Sequence, residues 1–459
     1  MTTSTGKYQI DMCHGPLLGK IVLVALPLMA ANVIQMLFNA VDILVIGRYA
    51  DKAAMAAVGS CAVLIATIQS LFIGLSIGAN VIVARHIGAR DGKETAHSVH
   101  TAIAIAFYGG LLLAVASAAV AKPVLVLMET PAEVLPKSTL YMRLYSLSIP
   151  FVLLFNFGNS IMSATGDTRR PLVCMSIAGA VKVGLNLLLV RSFALGVVGA
   201  ALATLISNAL SVFLILRALI GLRDSTRLCL KSVRFHASNF ADILKIGIPA
   251  GIQSSLFGIS NVIIQSSINS FGTDTIAGNA AAVSIESTVY VASSAFCYAV
   301  ISFVGQNHGA KKYTRIAKSI RYCLLLSMAG TAVVGWTVYF SGPYVLPLYN
   351  SDEEVVRQGL IRLDYVVTTY FIAAAMDITG GALRGLGHSL TPMIVSVAGI
   401  CVFRIFWVFC ILPLRRSMGM LLVSYPISWI LVLAVNGAIL FFVCRKLFRE
   451  AVHHPVGSD

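Results

Sequence analysis

The sequence predicts an all-α membrane protein with twelve transmembrane helices in two six-helix lobes, related by a pseudo-two-fold axis along the membrane normal. Three observations carry that expectation. The composition is 58% hydrophobic and only 12% charged, with a mean hydropathy of +0.86, whereas soluble domains hold roughly 25% charged residues. Apolar runs long enough to cross a bilayer recur along the chain. The second half repeats landmarks of the first at an offset of about 221 residues.

A helix of about 20 apolar residues crosses the hydrocarbon, and only a helix satisfies its own backbone there. Residues 1–16 are polar and read as a cytoplasmic tail. The first apolar run, near 17–47, is too long and too polar in its middle for a cleaved signal peptide. Breaks of Gly, Pro and charge then separate runs near 53–84, 95–121, 134–163, 170–192 and 196–221, which close a first lobe at 17–221. The basic segment Arg223 to His236 falls in a cytoplasmic linker at 222–240. Runs near 241–269, 275–305, 315–341, 354–383, 389–414 and 418–444 form a second lobe at 241–446, and 447–459 is a second cytoplasmic tail.

With an even number of spans the loops fall into two sets. One set, including both tails and the linker, holds 22 Lys and Arg; the other holds 10, and Lys182 and Arg404 lie inside spans. Basic loops mark the cytoplasmic side, so the formal charge of +15 needs no nucleic-acid partner. Nine cysteines are scattered without CxxC or CxxxH spacing, which argues against a disulfide framework or a zinc site. The chain also carries no P-loop, no HExxH and no nucleophile elbow, so it reads as no enzyme and needs no cofactor.

The repeat is visible in loops and spans alike. Gly88-Ala89-Arg90 recurs as Gly309-Ala310-Lys311, Gly166 with Pro171 as Gly387 with Pro392, and Pro27 with Asn39 as Pro249 with Asn261. Each repeat holds an even number of spans, so both insert the same way; folds of this kind place their site between the halves and rock one half against the other. Pro27 and Pro249, inside long spans, are candidate hinges.

Ionisable side chains inside spans are costly and face a cavity or a partner. In the first span Asn32, Gln35, Asn39 and Asp42 are spaced 3, 4 and 3 apart, which stacks them on one helical face ending in a carboxylate. Such a stripe serves either as glue between helices or as the wall of an ion-binding cavity; the carboxylate favours the cavity. The seventh span carries Ser254, Gly258, Asn261 and Gln265 on one face, with Ile264 where the repeat would put the acid. Glu286 and Asp377 are the other acids well inside spans, either cavity residues or partners of Arg404 or Arg384. His86 and His308 sit beside loop basics and read as solvated.

Six short motifs together resemble one family. They are Asn39-Ala40-Val41-Asp42 followed by Gly47, Gly88-Ala89-Arg90, Gly166-Asp167-Thr168-Arg169-Arg170-Pro171, Gly196 to Thr204, Leu383-Arg384-Gly385-Leu386-Gly387, and Tyr425-Pro426-Ile427-Ser428-Trp429. In this order, over about residues 15–446, they resemble the multidrug and toxic compound extrusion (MATE) transporters. The resemblance implies two lobes around a central cleft and export of organic cations or amphipathic drugs in exchange for protons or sodium ions. It implies a monomer, multi-pass in the bacterial inner (cytoplasmic) membrane. Asp42 occupies the family's first-span coupling position and is a candidate sodium ligand beside Asn39. Where many relatives carry Asn and then Asn or Asp in the fifth span, this chain has Lys182 and Asn186, and a lysine there can pair with Asp42. Asp377 corresponds to a tenth-span acid of some sodium-coupled relatives, and Asn32, Gln35, Asn261, Gln265 and Glu286 are expected along the substrate cavity. A flippase for lipid-linked saccharides would want a wider basic cavity than Lys182 and Arg404 supply, and a non-transporting scaffold leaves the duplicated stripes unexplained.

The charge asymmetry generates a test. In a background freed of native thiols, a cysteine introduced by Ser232→Cys should react with a membrane-impermeant maleimide only from the cytoplasmic side. Labelling only from outside would invert the topology.

Overall fold

The computed structural model describes residues 8–49, 52–128, 130–193 and 195–453. Among them there is helix and no strand. The elements of the first repeat are α1 (Leu17–Tyr49), α2 (Lys52–Gly88), α3 (Gly92–Leu127), α4 (Leu135–Ser146), α5 (Ile149–Ala164), α6 (Arg169–Asn186) and α7 (Gly196–Ile220). Those of the second are α8 (Ala237–Asn269), α9 (Thr273–Gly309), α10 (Tyr313–Val345), α11 (Glu353–Arg362), α12 (Tyr370–Gly385), α13 (Leu390–Ser396), α14 (Phe403–Phe406), α15 (Met418–Leu422) and α16 (Ser424–His453). Ten segments are long and apolar enough to span a bilayer, and the pairs α4–α5 and α11–α12, bent by 44° and 42°, bring the number to twelve.

The bends fall at equivalent places. Residues 147–148 break the fourth span and residues 368–369 the tenth, 221 positions on. At the first bend Pro150 withholds a backbone donor; at the second a π-helical stretch, Leu363–Val367, precedes the break. The loops obey the repeat too. Arg90 and Lys311 adopt φ of 57° and 55°, and Gly166 and Gly387 adopt 83° and 91°. At Gly166 the left-handed backbone comes with a tight wall, since a Cβ there would lie 2.5 Å from the carbonyl oxygen of Ile10. Asp167 in the same turn is fully buried and accepts a hydrogen bond from the backbone N–H of Arg170 at 3.1 Å. Burial raises its pKa, against the pull of Arg170 and Arg169.

The chain forms two compact units: Met1–Asp11 with Ala30–Gly251, and Met12–Met29 with Ile252–Asp459. Their seams therefore lie inside α1 and α8, each two residues beyond a proline, Pro27 or Pro249, rather than in the 222–240 segment. That segment packs within the first unit. His100 Nε2 accepts from the backbone N–H of Cys229 at 3.0 Å, Asn239 Oδ1 accepts from Ser98 at 2.7 Å, and Gln9 donates to Asp224 at 2.7 Å. His236 stacks on His97 with ring centroids 4.0 Å apart. Partial burial, then the His97 and Arg234 charges, lower its pKa. The neutral ring can accept from Arg234 Nε at 3.2 Å while its Nδ1 meets Thr101 at 3.1 Å.

In the first unit α2 and the N-terminal half of α8 touch backbone to backbone through Gly74 and Gly78 on one side and Gly247 and Gly251 on the other. A Cβ at Gly78 would sit 2.2 Å from the carbonyl oxygen of Ile243, and one at Gly74 would sit 2.3 Å from the Gly251 backbone. Between membrane helices, where lipid competes for apolar surface, such small-residue faces allow the close approach that dispersion needs. Gly78→Val should therefore separate the pair. We expect a loss of about 1–3 kcal/mol, read as a lower melting temperature of the detergent-solubilised protein. An unchanged melting temperature would mean that the contact gives way without penalty.

Candidate functional site

In the first unit, α1 and α6 bring the stripe to a partner. Gly179, Lys182 and Asn186 are spaced 3 and 4 apart and share one face of α6. Phe38 of α1 fills the place of a side chain at Gly179, where a Cβ would fall 1.8 Å from its ring. One turn further along α1, Asp42 meets Lys182 and Asn186. The Lys182 ammonium donates to Asp42 Oδ2 and the Asn186 amide donates to Oδ1 at 2.5 Å. The ion pair is partly open, with the Asp42 and Lys182 side chains 16% and 20% exposed.

Its surroundings are asymmetric. Val45 and Ile46, one turn beyond Asp42, and Val190, one turn beyond Asn186, join an apolar cluster with Cys61, Tyr141 and Met142. From Leu187 to Ser192 the helix widens to π geometry immediately after Asn186, a distortion often found at functional sites. Asn186 is 1% exposed, and its Oδ1 has no hydrogen-bond partner among the described residues. A carboxylate and an orphaned amide oxygen thus lie side by side, with an ammonium as the present counter-ion. Of the other stripe residues, Asn39 and Gln35 are exposed and Asn32 is half-buried.

The second unit holds different chemistry. Its counterpart of Asp42, Ile264, is 2% exposed in an apolar cluster, and the counterpart of Lys182, 222 residues on, is Arg404. Glu286 pairs with Arg362, whose Nε donates to Oε2 at 2.8 Å, with side chains 13% and 6% exposed. Arg362 Nη1 donates to Asn279 Oδ1 at 2.8 Å, and the Asn279 amide donates to Gln265 Oε1 at 3.3 Å. Gln265 in turn donates to Asn269 at 2.9 Å. Asn261 is exposed. Asp377 stands apart, accepting from Ser293 Oγ at 3.2 Å, while Arg384 donates to Gln253 at 2.7 Å.

Two expectations are corrected. Glu286, read either as a cavity residue or as a partner of Arg404 or Arg384, has Arg362 as its partner instead of either of those arginines. Arg362 was counted among the loop cations, and it is 5% exposed at the end of α11, facing α9. Its place in the 354–383 apolar run was the available signal; the carboxylate 76 residues earlier that makes burial tolerable was not visible from spacing. Asn279, the bridge to Gln265, carried no signal at all.

The profile of the MatE family matches residues 27–188 and again 249–410, so both matches begin at the two helix prolines. The chain is 25% identical to the probable multidrug resistance protein YoeA of Bacillus subtilis over 382 residues, which cover 82% of each protein. It is 25% identical to the probable multidrug resistance protein NorM of Thermotoga maritima over 391 residues, 84% of each. A solved outward-facing structure of a multidrug resistance MATE family transporter of the MOP superfamily superposes with a TM-score of 0.89, at 20% identity, over 97% of this chain and 100% of that one.

Removing one member of a buried ion pair strands the other, which costs about 3–5 kcal/mol. Arg362→Met should show a penalty of that size in thermal melts, and adding Glu286→Gln should recover most of it. If the double variant is no more stable than the single one, Glu286 does not depend on Arg362 for its charge.

Proposed function

Because the chain belongs to the MatE family of membrane transporters, we propose that it is a secondary active multidrug efflux antiporter. It exports organic cations or amphipathic compounds in exchange for protons or sodium ions by alternating access. The observation that carries this reading is the Asp42, Lys182 and Asn186 constellation inside a membrane-spanning helix pair. A carboxylate in hydrocarbon has to be neutralised, and here three groups can do so in turn: the Lys182 ammonium, a proton, or a sodium ion. Exchange between them is the coupling. Displacement of the ammonium from Asp42 frees a carboxylate oxygen next to the orphaned Asn186 Oδ1, and oxygen ligands of this kind suit a hard monovalent cation. Among the described residues no three His, Cys, Asp or Glu side chains converge, so amide and carbonyl oxygens would complete the shell of a sodium ion.

Movement has a place in the chain as well. Pro27 and Pro249 each remove a backbone donor two residues before α1 and α8 pass from one compact unit to the other. Near-rigid rocking of the units about these points would expose the substrate site to each side in turn. The protein works as a monomer in the cytoplasmic membrane with both termini inside.

Asp42→Asn keeps shape and hydrogen bonding and removes the charge. It also leaves Lys182 without its counter-ion, so a folding defect could imitate a transport defect; Asp42→Asn with Lys182→Asn is the control. In vesicles given first a sodium and then a proton gradient, uphill efflux of a fluorescent cation should fall to background in both variants, while the double variant regains folded yield. A monodisperse Asp42→Asn protein that pumps at the native rate would make Asp42 a structural contact and end the coupling assignment.

A further inference from the structure

Arg404 is a buried cation of the second unit with no carboxylate at ion-pair distance among the described residues. It lies on α14, a four-residue α-helical stretch between two π-helical ones, Val397–Val402 and Trp407–Ile411. The side chain is 4% exposed. Its Nε donates to Ser428 Oγ at 3.1 Å, and its guanidinium lies over the Tyr425 ring at 3.8 Å from the centroid. Among the described residues that is its single hydrogen bond, so the two terminal nitrogens and their four N–H donors are uncommitted. The charged groups that act on it are Arg362 and Glu286. Glu286 is already engaged by Arg362, and Arg362 itself approaches the same Tyr425 ring at 5.5 Å.

Two guanidiniums thus flank one tyrosine and share one carboxylate. A buried lysine in this position could shed its proton, as burial disfavours the charge. Arginine cannot do so, so the local surplus of positive charge is fixed. A surplus of this kind inside a membrane span is expensive unless something answers it. In the first unit the equivalent Lys182 is answered by Asp42, but the second unit places Ile264 at the matching position. The uncommitted N–H donors of Arg404 leave a place for a counter-charge from outside the chain.

We propose that Arg404 binds the anionic group of an amphipathic substrate, a carboxylate or similar planar oxyanion, while the aromatic group of Tyr425, Trp429 and Tyr370 lies beside it. Those rings form a contiguous set, Tyr425 to Trp429 at 5.8 Å and Trp429 to Tyr370 at 5.3 Å between centroids. The guanidinium fork suits a carboxylate through paired N–H donors, and Ser428 fixes its orientation through Nε. This inference rests on the efflux reading for the statement that the ligand is a transported substrate; the anion site itself rests on Arg404 alone. It narrows the substrates from cations and amphipaths in general to zwitterionic and anionic amphipaths.

The test compares rhodamine B, whose carboxylate is free at neutral pH, with its cationic methyl ester. Binding of each dye to the purified full-length chain in neutral detergent is measured by fluorescence anisotropy. The wild type should bind the free acid about tenfold more tightly, the order expected of a charge-assisted hydrogen bond. Arg404→Gln should bring the acid down to the affinity of the ester. Arg404→Lys, which keeps the charge and safeguards folding, should reduce the preference at least about threefold, because the fork is lost. Equal affinities in the wild type, or an undiminished preference in either folded variant, overturn the site. Adding phosphatidylglycerol to the micelles separates two sources of anion: if the lipid displaces the free acid, Arg404 holds a lipid headgroup and the drug-type ligand is overturned; if it does not, the amphipath stands. Efflux in proteoliposomes then tells the two readings apart. A binding preference without export of either dye sinks the efflux reading and leaves the anion site, whereas export of the ester without a preference does the reverse.

Discussion

A charged side chain in hydrocarbon must be answered by another group, since no bulk water reaches it. That constraint governs most of what distinguishes this chain. Asp42 is answered by Lys182 and Asn186, and Glu286 by Arg362. The same rule holds for the backbone, which is why every described spanning segment is helical and why the π segments are short and adjoin Asn186, Arg362 and Arg404. The ion pair of Asp42 and Lys182 links α1 to α6.

The duplicated scaffold is held far more faithfully than its chemistry. Left-handed residues at Arg90 and Lys311, glycine turns at Gly166 and Gly387, and bends of nearly the same angle recur at one offset. These features are set by backbone geometry, and an identical backbone path needs the same turn at the same place. Side chains facing the interior are free of that demand. Asp42 is therefore matched by Ile264, and Lys182 by Arg404, which keeps the positive charge but loses the acid. One unit holds a compensated ion pair; the other holds a cation over an aromatic ring.

Legibility in the sequence followed the range of the interactions. Twelve apolar runs, the repeat, and the stripe of Asn32, Gln35, Asn39 and Asp42 are local or periodic, and each is found in the helices. The bends were hidden, because a span of the right length reads the same whether it is straight or broken by 44°. Arg362 was misplaced because charge alone assigns a residue to a loop. The seams between compact units were expected in the linker, where composition changes, but they lie at Pro27 and Pro249, while the linker is tied down by His100, Ser98 and Gln9.

The sequence by itself determined the solvent this protein lives in, the number of its spans and their duplication, because hydrophobic length and repeat offset are properties of the chain read in order. It also placed a carboxylate on a polar helical face and a lysine where the family resemblance led one to expect an amide. Only the tertiary structure decided which charges are compensated. Asp42 meets a lysine 140 residues away and Glu286 an arginine 76 residues away, while Arg404 meets a serine and a tyrosine. Such pairings depend on which helix faces turn toward each other. Packing at positions such as Gly179 fixes that rotation, through contacts between residues far apart in sequence that no local pattern encodes.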